Sequence, residues 1–346
     1  MAFEHYVGNT GKNMRMGYTT GTCAAAASAA ATEGFLTGHV PEKISVDTPK
    51  GIPVEVTPAL VEVEEDFCRV GITKDAGDDV DATAGMLIIA CIRRTDVDER
   101  FPIHGGKGIG RVTKPGLDQP VGEAAINHVP REMIRHEMER ICEEQGFAGN
   151  LEVEIMAPEG EEIAKKTFNP KLGIEGGISI IGTTGIVEPM SQKAFADSVR
   201  LEIRQKAAEG YTDIILTPGN YGQAFLQEQG LNNDNTPVVV CSNFIGDALE
   251  EAEACGIKHI LLVGHIGKLV KLAGGIFHTH SHVADARVEI LTANAACCGA
   301  SPEICKELMN AATTDACLDI LDNAGLMESV MKRISCFADA FHNRFH

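Results

Sequence analysis

The hydrophobic and polar positions follow one pattern in the first half of the chain and another in the second. In the first half, short apolar runs with some alternation predict consecutive strands, and one longer amphipathic stretch predicts a helix. The predicted strands lie at 44–48, 54–64, 67–73, 86–92 and 151–156, and the predicted helix at 130–145. Runs of strands with few helices are typical of an α+β domain.

The second half repeats a strand, a polar or glycine-rich loop and a helix about four times. The apolar runs lie at 178–181, 214–216, 238–240 and 260–263, and the loops at 182–188, 217–222, 241–247 and 264–268. This order predicts a Rossmann-like, doubly wound parallel sheet. Several helices should follow from residue 283, one starting at Ser301-Pro302 and one stopping near Gly325.

Residues around 169–177 break both patterns, with an Asn-Pro pair followed by several glycines. We therefore predict two domains, an N-terminal α+β domain at 1–175 and a Rossmann-like cofactor-binding domain with C-terminal helices at 176–346.

Composition narrows the class of protein. The formal net charge of −19 over 346 residues argues against nucleic acid or an anionic membrane as a partner. Eleven cysteines without a CxxC pair indicate reduced thiols. The first residues lack the apolar core of a signal peptide, and the alanine-rich stretch 23–31 is too short to span a bilayer. We expect a cytoplasmic protein, with a homo-oligomer left open by the apolar C-terminal helices.

In a doubly wound sheet, ligands bind beyond the carboxyl ends of the strands. The four loops after the predicted strands should converge there, carrying Thr183, Thr184, Glu188, Asn220, Asn243, Asp247, His265 and Lys268. The alternative is that the loops are only tight turns into helices. Neither G-x-G-x-x-G nor the P-loop pattern is present, since the glycines at 105–110 fail the spacing, so the motifs alone do not name the ligand.

A basic cluster follows the last predicted strand, within 264–282. Lys268 and Lys271 are three residues apart and share one side of a helix, while His278, His280 and His282 alternate and point one way in an extended chain. Such imidazoles could hold a transition metal or bind carboxylates. The alternative is a solvated basic strip. Because no fourth metal ligand lies nearby, anion binding is favoured and no protein-bound metal is expected.

Two further segments carry polar groups at turns. Residues 17–23 precede an alanine run, and Thr19, Thr20 and Thr22 predict either an anion site at a helix start or a structural N-cap. Cys23 has no nearby histidine, which argues against a nucleophile. Residues 73–81 carry acids whose spacing does not fit an EF-hand, so a polar turn is favoured over a Ca²⁺ or Mg²⁺ loop.

These segments together resemble the CbiD family. The resemblance rests on GYTTGTCAAAA at 17–27, KDAGDD at 74–79, GRVTKPGL at 110–117, VGEAAIN at 121–127, GTTGIVEPMS at 182–191, TPGNYG at 217–222, SNFIGDALEEA at 242–252 and VGHIGKLVKLAGGIFHTHS at 263–281. It covers nearly the whole chain in the expected order. Val80 and His128 stand where the family commonly has proline.

The resemblance implies an enzyme of anaerobic cobalamin biosynthesis. S-adenosyl-L-methionine would donate a methyl group to C-1 of cobalt-precorrin-5B, an anionic tetrapyrrole, to give cobalt-precorrin-6A. The cobalt belongs to that substrate. The family's architecture, an α+β domain followed by a Rossmann-like domain, agrees with the predicted division.

This chemistry gives each candidate residue an expected role. The substrate's carboxylates would meet the basic residues and the N-terminal threonines, and His265 and Asp247, at neighbouring predicted strand ends, would manage a macrocycle proton. The expected substrate-binding residues are Thr19, Thr20, Thr22, Lys268, Lys271, His278 and His280. The expected residues binding S-adenosylmethionine are Gly182, Thr183, Thr184, Gly185, Gly219, Asn220, Gly222 and Asn243.

Three other readings stay open at this point. A dehydrogenase would fit the loops but lacks the dinucleotide fingerprint. A corrinoid or metal carrier could be built on His278, His280 and His282. A purely structural subunit would leave the converging glycine loops without a role.

Overall fold

A computed structural model describes residues 3–9, 12–231 and 236–342. The chain forms two compact units, Met1–Ala194 and Phe195–His346. The division thus falls after residue 194 rather than after 175. The reason is strand pairing, because residues 174–175 and 186–187 pair with strands formed by residues 111–112 and 17–18 of the first unit.

The first unit contains thirteen of the strands in the described residues and three of the helices. Its strands are β1 (Tyr6–Asn9), β2 (Lys12–Arg15), β3 (Gly17–Tyr18), β4 (Ile44–Val46), β5 (Val54–Val56), β6 (Leu60–Val63), β7 (Cys68–Thr73), β8 (Leu87–Arg94), β9 (Ile103–Gly105), β10 (Arg111–Val112), β11 (Leu151–Met156), β12 (Ile174–Glu175) and β13 (Ile186–Val187). Its helices are α1 (Thr20–Thr37), α2 (His128–Glu144) and α3 (Gly160–Ala164).

A five-stranded sheet in the order β6-β7-β8-β11-β9 forms the centre of this unit. Its strands pair antiparallel except for β11 and β9, which run parallel. Short two-stranded pairs, β1-β2, β4-β5, β10-β12 and β3-β13, surround it. The predicted strands at 67–73, 86–92 and 151–156 and the helix at 130–145 are confirmed within a few residues.

Helix α1 is buried along most of its length. Every residue from Thr20 to Thr32 is buried, because the helix packs against β7 and β8 and also against α2. Alanine side chains allow this approach of neighbours on several sides and favour the helix itself. The helix ends at Gly38, whose φ of 75° is a left-handed conformation that glycine adopts without strain.

The acidic segment at 73–81 folds as a polar turn against β3. Arg15 forms a two-pronged ion pair with Asp75, and the buried Lys74 ammonium lies 2.5 Å from Asp81 Oδ2. Backbones cross closely here, since a Cβ on Gly77 would lie 2.2 Å from the Arg15 carbonyl oxygen. The acids therefore neutralise protein cations, which favours the structural reading of this segment over a Ca²⁺ or Mg²⁺ loop.

The second unit combines a small parallel sheet with a set of helices. Its strands are β14 (Asp213–Thr217), β15 (Val238–Val240) and β16 (His259–Leu262). Its helices are α4 (Gln192–Ala208), which contains the division between units, α5 (Asn220–Glu228), α6 (Ile245–Ala254), α7 (Ile266–Leu269), α8 (Arg287–Cys297), α9 (Pro302–Met309), α10 (Thr314–Asn323) and α11 (Met327–His342). A 3₁₀ helix spans Val270–Gly274.

The sheet has the order β15-β14-β16, and both pairs are parallel. Residues of α4 and α6 share a hydrophobic core with its strands, with Ile203 and Ile245 among the fully buried side chains. Three of the four predicted strands are thus confirmed. The fourth, at 178–181, is wrong, because Ile178 and Ile180 form isolated bridges to Ile109 and Ile126 in the first unit. The chain is a mixed α/β protein with small sheets, and an extended doubly wound sheet is not observed among the described residues.

The C-terminal helices α8–α11 share a core with the 3₁₀ helix, built from residues such as Val270, Leu291 and Leu321. The predicted start at Ser301-Pro302 is confirmed, since the Ser301 hydroxyl accepts a hydrogen bond from the Ile304 N–H. Within the described ranges, no helix is long and apolar enough to cross a bilayer.

Removing the Lys74 ammonium should destabilise the first unit strongly. Lys74→Met leaves the Asp81 carboxylate without its buried partner, and we expect a loss of about 3 kcal/mol in the free energy of unfolding. Guanidinium denaturation followed by circular dichroism measures it. Lys165→Met removes an exposed ion pair with Glu162 and should cost less than about 0.5 kcal/mol. Equal losses in the two variants would contradict this assignment.

The same ion pair should make stability depend on pH. Burial raises the pKa of Asp81, but the Lys74 charge and the hydrogen bonds from Lys74 and Thr83 outweigh it, so the pKa lies below its ordinary value of 3.8. A lowered carboxyl pKa stabilises the fold above the unfolded-state pKa. This contribution should disappear as the pH falls below about 3.8, and it should be absent from Lys74→Met.

Candidate functional site

A cleft of about 560 Å³ lies at the carboxyl ends of the three parallel strands of the second unit. The loops after β14, β15 and β16 form one part of its wall, and the segment after the 3₁₀ helix forms the rest. Its lining residues are Pro218, Gly219, Tyr221, Gly222, Asn243, His265, Gly267, Lys268, Lys271, Thr279, His280, Ser281 and Arg287. The strand-end rule thus located a cleft from the sequence pattern.

Lys268 connects the loops that follow the strands. It lies on α7, after β16, and its Nζ donates to the Pro218 carbonyl at 2.5 Å and to the Ser242 carbonyl at 3.4 Å. Burial lowers the pKa of Lys268. The side chain is half-buried, and its described hydrogen-bond partners are neutral carbonyls rather than carboxylates. Its positive charge therefore stays available to an anion in the cleft.

Lys271 has a different environment. Its side chain is buried, and Nζ donates to the carbonyls of Thr279 at 3.0 Å and Ala284 at 2.7 Å. Burial lowers the pKa of this ammonium group also. These bonds hold the segment 279–284 beside the cleft, so Lys271 shapes the wall in addition to contributing charge.

Two histidines of the cleft are held by backbone N–H groups. His265 Nδ1 accepts from the Gly267 N–H at 3.1 Å, and His280 Nδ1 accepts from the His282 N–H at 3.2 Å. An Nδ1 that accepts a hydrogen bond has no proton, so each neutral ring carries its proton on Nε2. Both Nε2 atoms are therefore donors. His265 Nε2 lies 3.5 Å from Asp315 Oδ1, and its ring packs against Tyr221.

His278 stands apart from these two. Both of its ring nitrogens are buried and have no hydrogen-bond partner among the described residues, and the ring meets Phe244 edge-on. The centroids of His278 and His280 are 6.4 Å apart, and those of His280 and His282 are 4.9 Å apart. In the described ranges, no group of three His, Cys, Asp or Glu converges as a metal site requires. The absence of a protein-bound metal stays a prediction.

Asp247 does not join His265. It lies in the first turn of α6, where its Oδ1 is 2.6 Å from Nη2 of Arg200 on α4. It is not among the residues lining the cleft. Asp247 therefore does not share the cleft with His265, and its catalytic role stays a prediction without support from this geometry. The sequence shows that Asp247 follows a strand end, but it does not show that the carboxylate turns toward α4, where the Arg200 guanidinium neutralises it.

The loop after β14 does face the cleft. A Cβ on Gly219 would meet only Lys268 Nζ, at 4.0 Å, so this position is open. Gly222 serves packing, since a Cβ there would lie 2.3 Å from the Val263 carbonyl oxygen. Asn220 is exposed at the start of α5. Asn243 Oδ1 accepts from the Thr279 hydroxyl at 3.3 Å, which joins two walls of the cleft.

Gly182, Thr183, Thr184 and Gly185 lie in the first unit, so their expected place at an end of the parallel sheet is wrong. Their loop contacts the start of α1. Thr20 Oγ1 bonds the Ile181 backbone, and Thr22 Oγ1 donates to the Gly185 carbonyl at 2.6 Å. Because these hydroxyl groups bond backbone atoms of the protein, the contacts support a structural role for the threonines over an anion site.

The start of α1 offers few free amide groups. The Gly21 N–H donates to Ile181, and Thr19 accepts the N–H groups of both Thr22 and Cys23. Thr19, Thr20 and Thr22 are all buried. Cys23 is fully buried as well, and burial raises the pKa of its thiol to about 12. Binding of substrate by these threonines stays a prediction without support from this geometry.

Sequence patterns missed several residues of the cleft, among them Tyr221 and Arg287. Tyr221 is exposed and packs against His265. Arg287 comes from outside the glycine loops, at the first position of α8, and no motif marks it. Asp315, the partner of His265, is equally far away in sequence. Only the fold brings these residues together.

Comparison with known families settles the classification. The family model CbiD matches residues 7–189, more than half of the chain, and the model of the CbiD C-terminal domain matches residues 278–344. The chain belongs to the CbiD family. The first match ends close to the end of the first unit.

The chain is also similar to several members named cobalt-precorrin-5B C(1)-methyltransferase. It is 46% identical over 328 residues to that of Ruminiclostridium cellulolyticum, covering 94% of this chain and 84% of the relative. It is 47% identical over 327 residues to that of Photorhabdus laumondii, covering 94% and 85%. A crystal structure of cobalamin biosynthesis protein (cbiD) from Archaeoglobus fulgidus is 31% identical, with a TM-score of 0.44, and covers 82% of this chain and 87% of that one.

The contacts of Thr22 predict a structural role for this residue. Thr22→Val keeps the shape but removes the hydrogen bond to the Gly185 carbonyl, and we expect a loss of about 1 kcal/mol in the free energy of unfolding. Denaturation by guanidinium measures it, with Thr183→Val at an exposed position as the control. If Thr22→Val kept its stability but bound the tetrapyrrole substrate more weakly, the result would instead favour the substrate-binding role.

Proposed function

We propose that this protein methylates C-1 of cobalt-precorrin-5B to give cobalt-precorrin-6A in anaerobic cobalamin biosynthesis. The observation that carries the proposal is similarity along nearly the whole chain to CbiD relatives that bear the name of this activity. This similarity argues against a dehydrogenase, a carrier or a structural subunit. All eleven cysteines are free, as is usual in the cytoplasm, where we expect the enzyme to act.

The proposed acceptor fits the charge of the cleft. Cobalt-precorrin-5B carries several carboxylates, and no described residue lining the cleft is acidic. Lys268 supplies a cation, and His265 and His280 supply Nε2–H donors. Charge-assisted hydrogen bonds between such groups and carboxylates are stronger than neutral ones. These donors therefore suit the carboxylates of the proposed acceptor.

The proposed donor is S-adenosylmethionine, which supplies an electrophilic methyl group when bound. The residues at the start of α5 fit its carboxylate end. Gly219 leaves open space beside Lys268 Nζ, and in the described part of the chain no side chain caps α5. A helix start of this kind favours anions through its backbone N–H groups. Asn243 offers an amide beside the same loop. We assign Gly219, Asn220 and Asn243 to the donor.

Methyl transfer to a ring carbon requires mainly alignment of the two ligands. We propose that His265 contributes by donating its Nε2–H to the bound acceptor. The geometry gives less support to a general base, because the Nδ1 lone pair is occupied by Gly267 and Nε2 already carries the proton. We also propose that the second unit is a shortened form of the doubly wound fold, with its ligands at the strand ends.

An anaerobic assay tests the reaction. The purified protein, incubated with cobalt-precorrin-5B and carbon-13-methyl S-adenosylmethionine, should yield S-adenosylhomocysteine and a macrocycle heavier by one labelled methyl group. Mass spectrometry and a carbon-13 resonance at C-1 would identify the product. Failure to label the macrocycle under conditions where a CbiD relative does so would contradict the proposed activity.

Two substitutions separate the roles of His265. Asn at position 265 can keep the acceptor that caps Gly267 but lacks the Nε2–H, whereas Gln places an N–H near the original Nε2. We expect His265→Asn to lower kcat/KM about tenfold and His265→Gln to lower it less. His259→Asn, at an exposed histidine paired with Asp213, is the control. Equal and large losses of kcat in both variants at position 265 would indicate a general base instead.

A further inference from the structure

Arg287 is held in a fixed orientation beside the cleft. Its Nε lies 2.6 Å from Asp285 Oδ1 and its Nη2 lies 2.8 Å from Asp285 Oδ2. The hydrogen bond to Asp285 raises the pKa of Arg287, and the same bond lowers the pKa of Asp285. This two-pronged pair fixes the guanidinium plane and uses two of its three nitrogens.

The third nitrogen, Nη1, is turned toward the start of α7. A Cβ on Gly267 would lie 3.8 Å from Nη1 and 3.2 Å from His265 Nδ1. No hydrogen bond to Nη1 is found in the described residues. The pair with Asp285 uses two of the five N–H hydrogens of the guanidinium and leaves three, two on Nη1 and one on Nη2. Because Arg287 lines the cleft and only 37% of its side chain is exposed, these hydrogens are positioned for a ligand rather than spread in solvent.

We propose that Arg287, together with the Nε2–H of His280, binds side-chain carboxylates of the tetrapyrrole and so holds the macrocycle in the cleft. Asp285 is a positioning residue that holds the guanidinium. This inference rests on the proposed function and deepens it, since it assigns the acceptor to one side of the cleft.

The arrangement of cations favours the macrocycle over the methyl donor at this position. Lys268 Nζ lies beside Gly219 on the α5 side, whereas Arg287 Nη1 lies beside Gly267 on the α7 side. S-adenosylmethionine has a single carboxylate, which the α5 side accommodates. A macrocycle with carboxylates around its rim can use a second, separate cation, and a guanidinium that keeps free N–H hydrogens on both Nη1 and Nη2 can bond both oxygens of one carboxylate group.

The chain supplies a matched control for Arg287. Arg204 makes the same kind of pair with Glu251, with Nε 2.6 Å from Oε1 and Nη2 3.0 Å from Oε2. It lies on α4, is 56% exposed and does not line the cleft. Substitution of Arg204 therefore removes an equivalent ion pair without removing a donor from the cleft.

The test measures binding of uroporphyrin III, a tetrapyrrole with carboxylates on every ring, by fluorescence titration. The full chain is compared with Arg287→Met, Arg287→Lys and Arg204→Met, and S-adenosylhomocysteine affinity is measured in parallel by calorimetry. We expect Arg287→Met to bind uroporphyrin at least about tenfold more weakly, Arg287→Lys to recover part of the loss, and Arg204→Met to match the unchanged protein. Affinity for S-adenosylhomocysteine should stay within about twofold, and thermal unfolding checks that each variant is folded.

Unchanged uroporphyrin affinity in folded Arg287→Met would overturn the inference, and so would a loss confined to S-adenosylhomocysteine. An equal loss of uroporphyrin affinity in Arg204→Met would also overturn it, because the effect would then come from the net charge of the protein and not from a donor in the cleft. Methyl transfer to cobalt-precorrin-5B is assayed separately. Arginine-dependent binding of uroporphyrin without any methyl transfer would support the carboxylate-binding role of Arg287 and reject the proposed reaction, so the two ideas fail in different experiments.

Discussion

The site depends on one interaction, the hydrogen bonds from the Lys268 ammonium group to the carbonyls of Pro218 and Ser242. Parallel strands leave their last carbonyls at the same edge of the sheet, and these groups need donors once the chain turns away. Lys268 supplies them from α7, after the third strand. It thereby joins the loops of all three strands while keeping its charge beside the open space at Gly219. The same contact explains the shape of the cleft and places a positive charge beside its open space.

In the first unit, close packing gives the threonines at the start of α1 a structural role. The alanine helix α1 is enclosed by the sheet and α2, so its start cannot face solvent freely. The threonines there bond the 181–185 backbone because buried polar groups must find partners. Residues that resemble a ligand loop in sequence thus form hydrogen bonds within the protein, just as Lys74 and Asp81 form an ion pair with each other.

The histidines of the cleft in the second unit are also restrained by the backbone. His265 and His280 each accept a hydrogen bond from a backbone N–H group, and this bond fixes the tautomer of the ring.

The local pattern of apolar and polar residues predicted most of the helices and strands. It also predicted three of the four loops that we expected at the strand-end cleft. Strands such as Leu151–Met156 and Val238–Val240 and the cap at Ser301 depend on neighbours in sequence, and they were predicted within a few residues. The loop at 182–185 was misplaced because a strand-turn-helix pattern does not reveal which sheet the strand joins. Arg287 was missed for a related reason. Its role depends on Asp285 and on Gly267, and that geometry exists only after the C-terminal helices pack.

A net charge of −19 seen alone would argue against the polyanionic substrate that we propose. The charge and the proposed substrate are compatible because exposed charges are screened beyond about 8 Å at physiological ionic strength, so distant carboxylates contribute little inside the cleft. What matters there is the local set of groups, and the described lining contains cations and N–H donors without carboxylates. The acidic partners of these groups are not among the lining residues, although Asp285 orients Arg287 and Asp315 lies beside His265. Acidic residues can therefore orient the donors of the cleft and leave those donors available for the substrate that we propose.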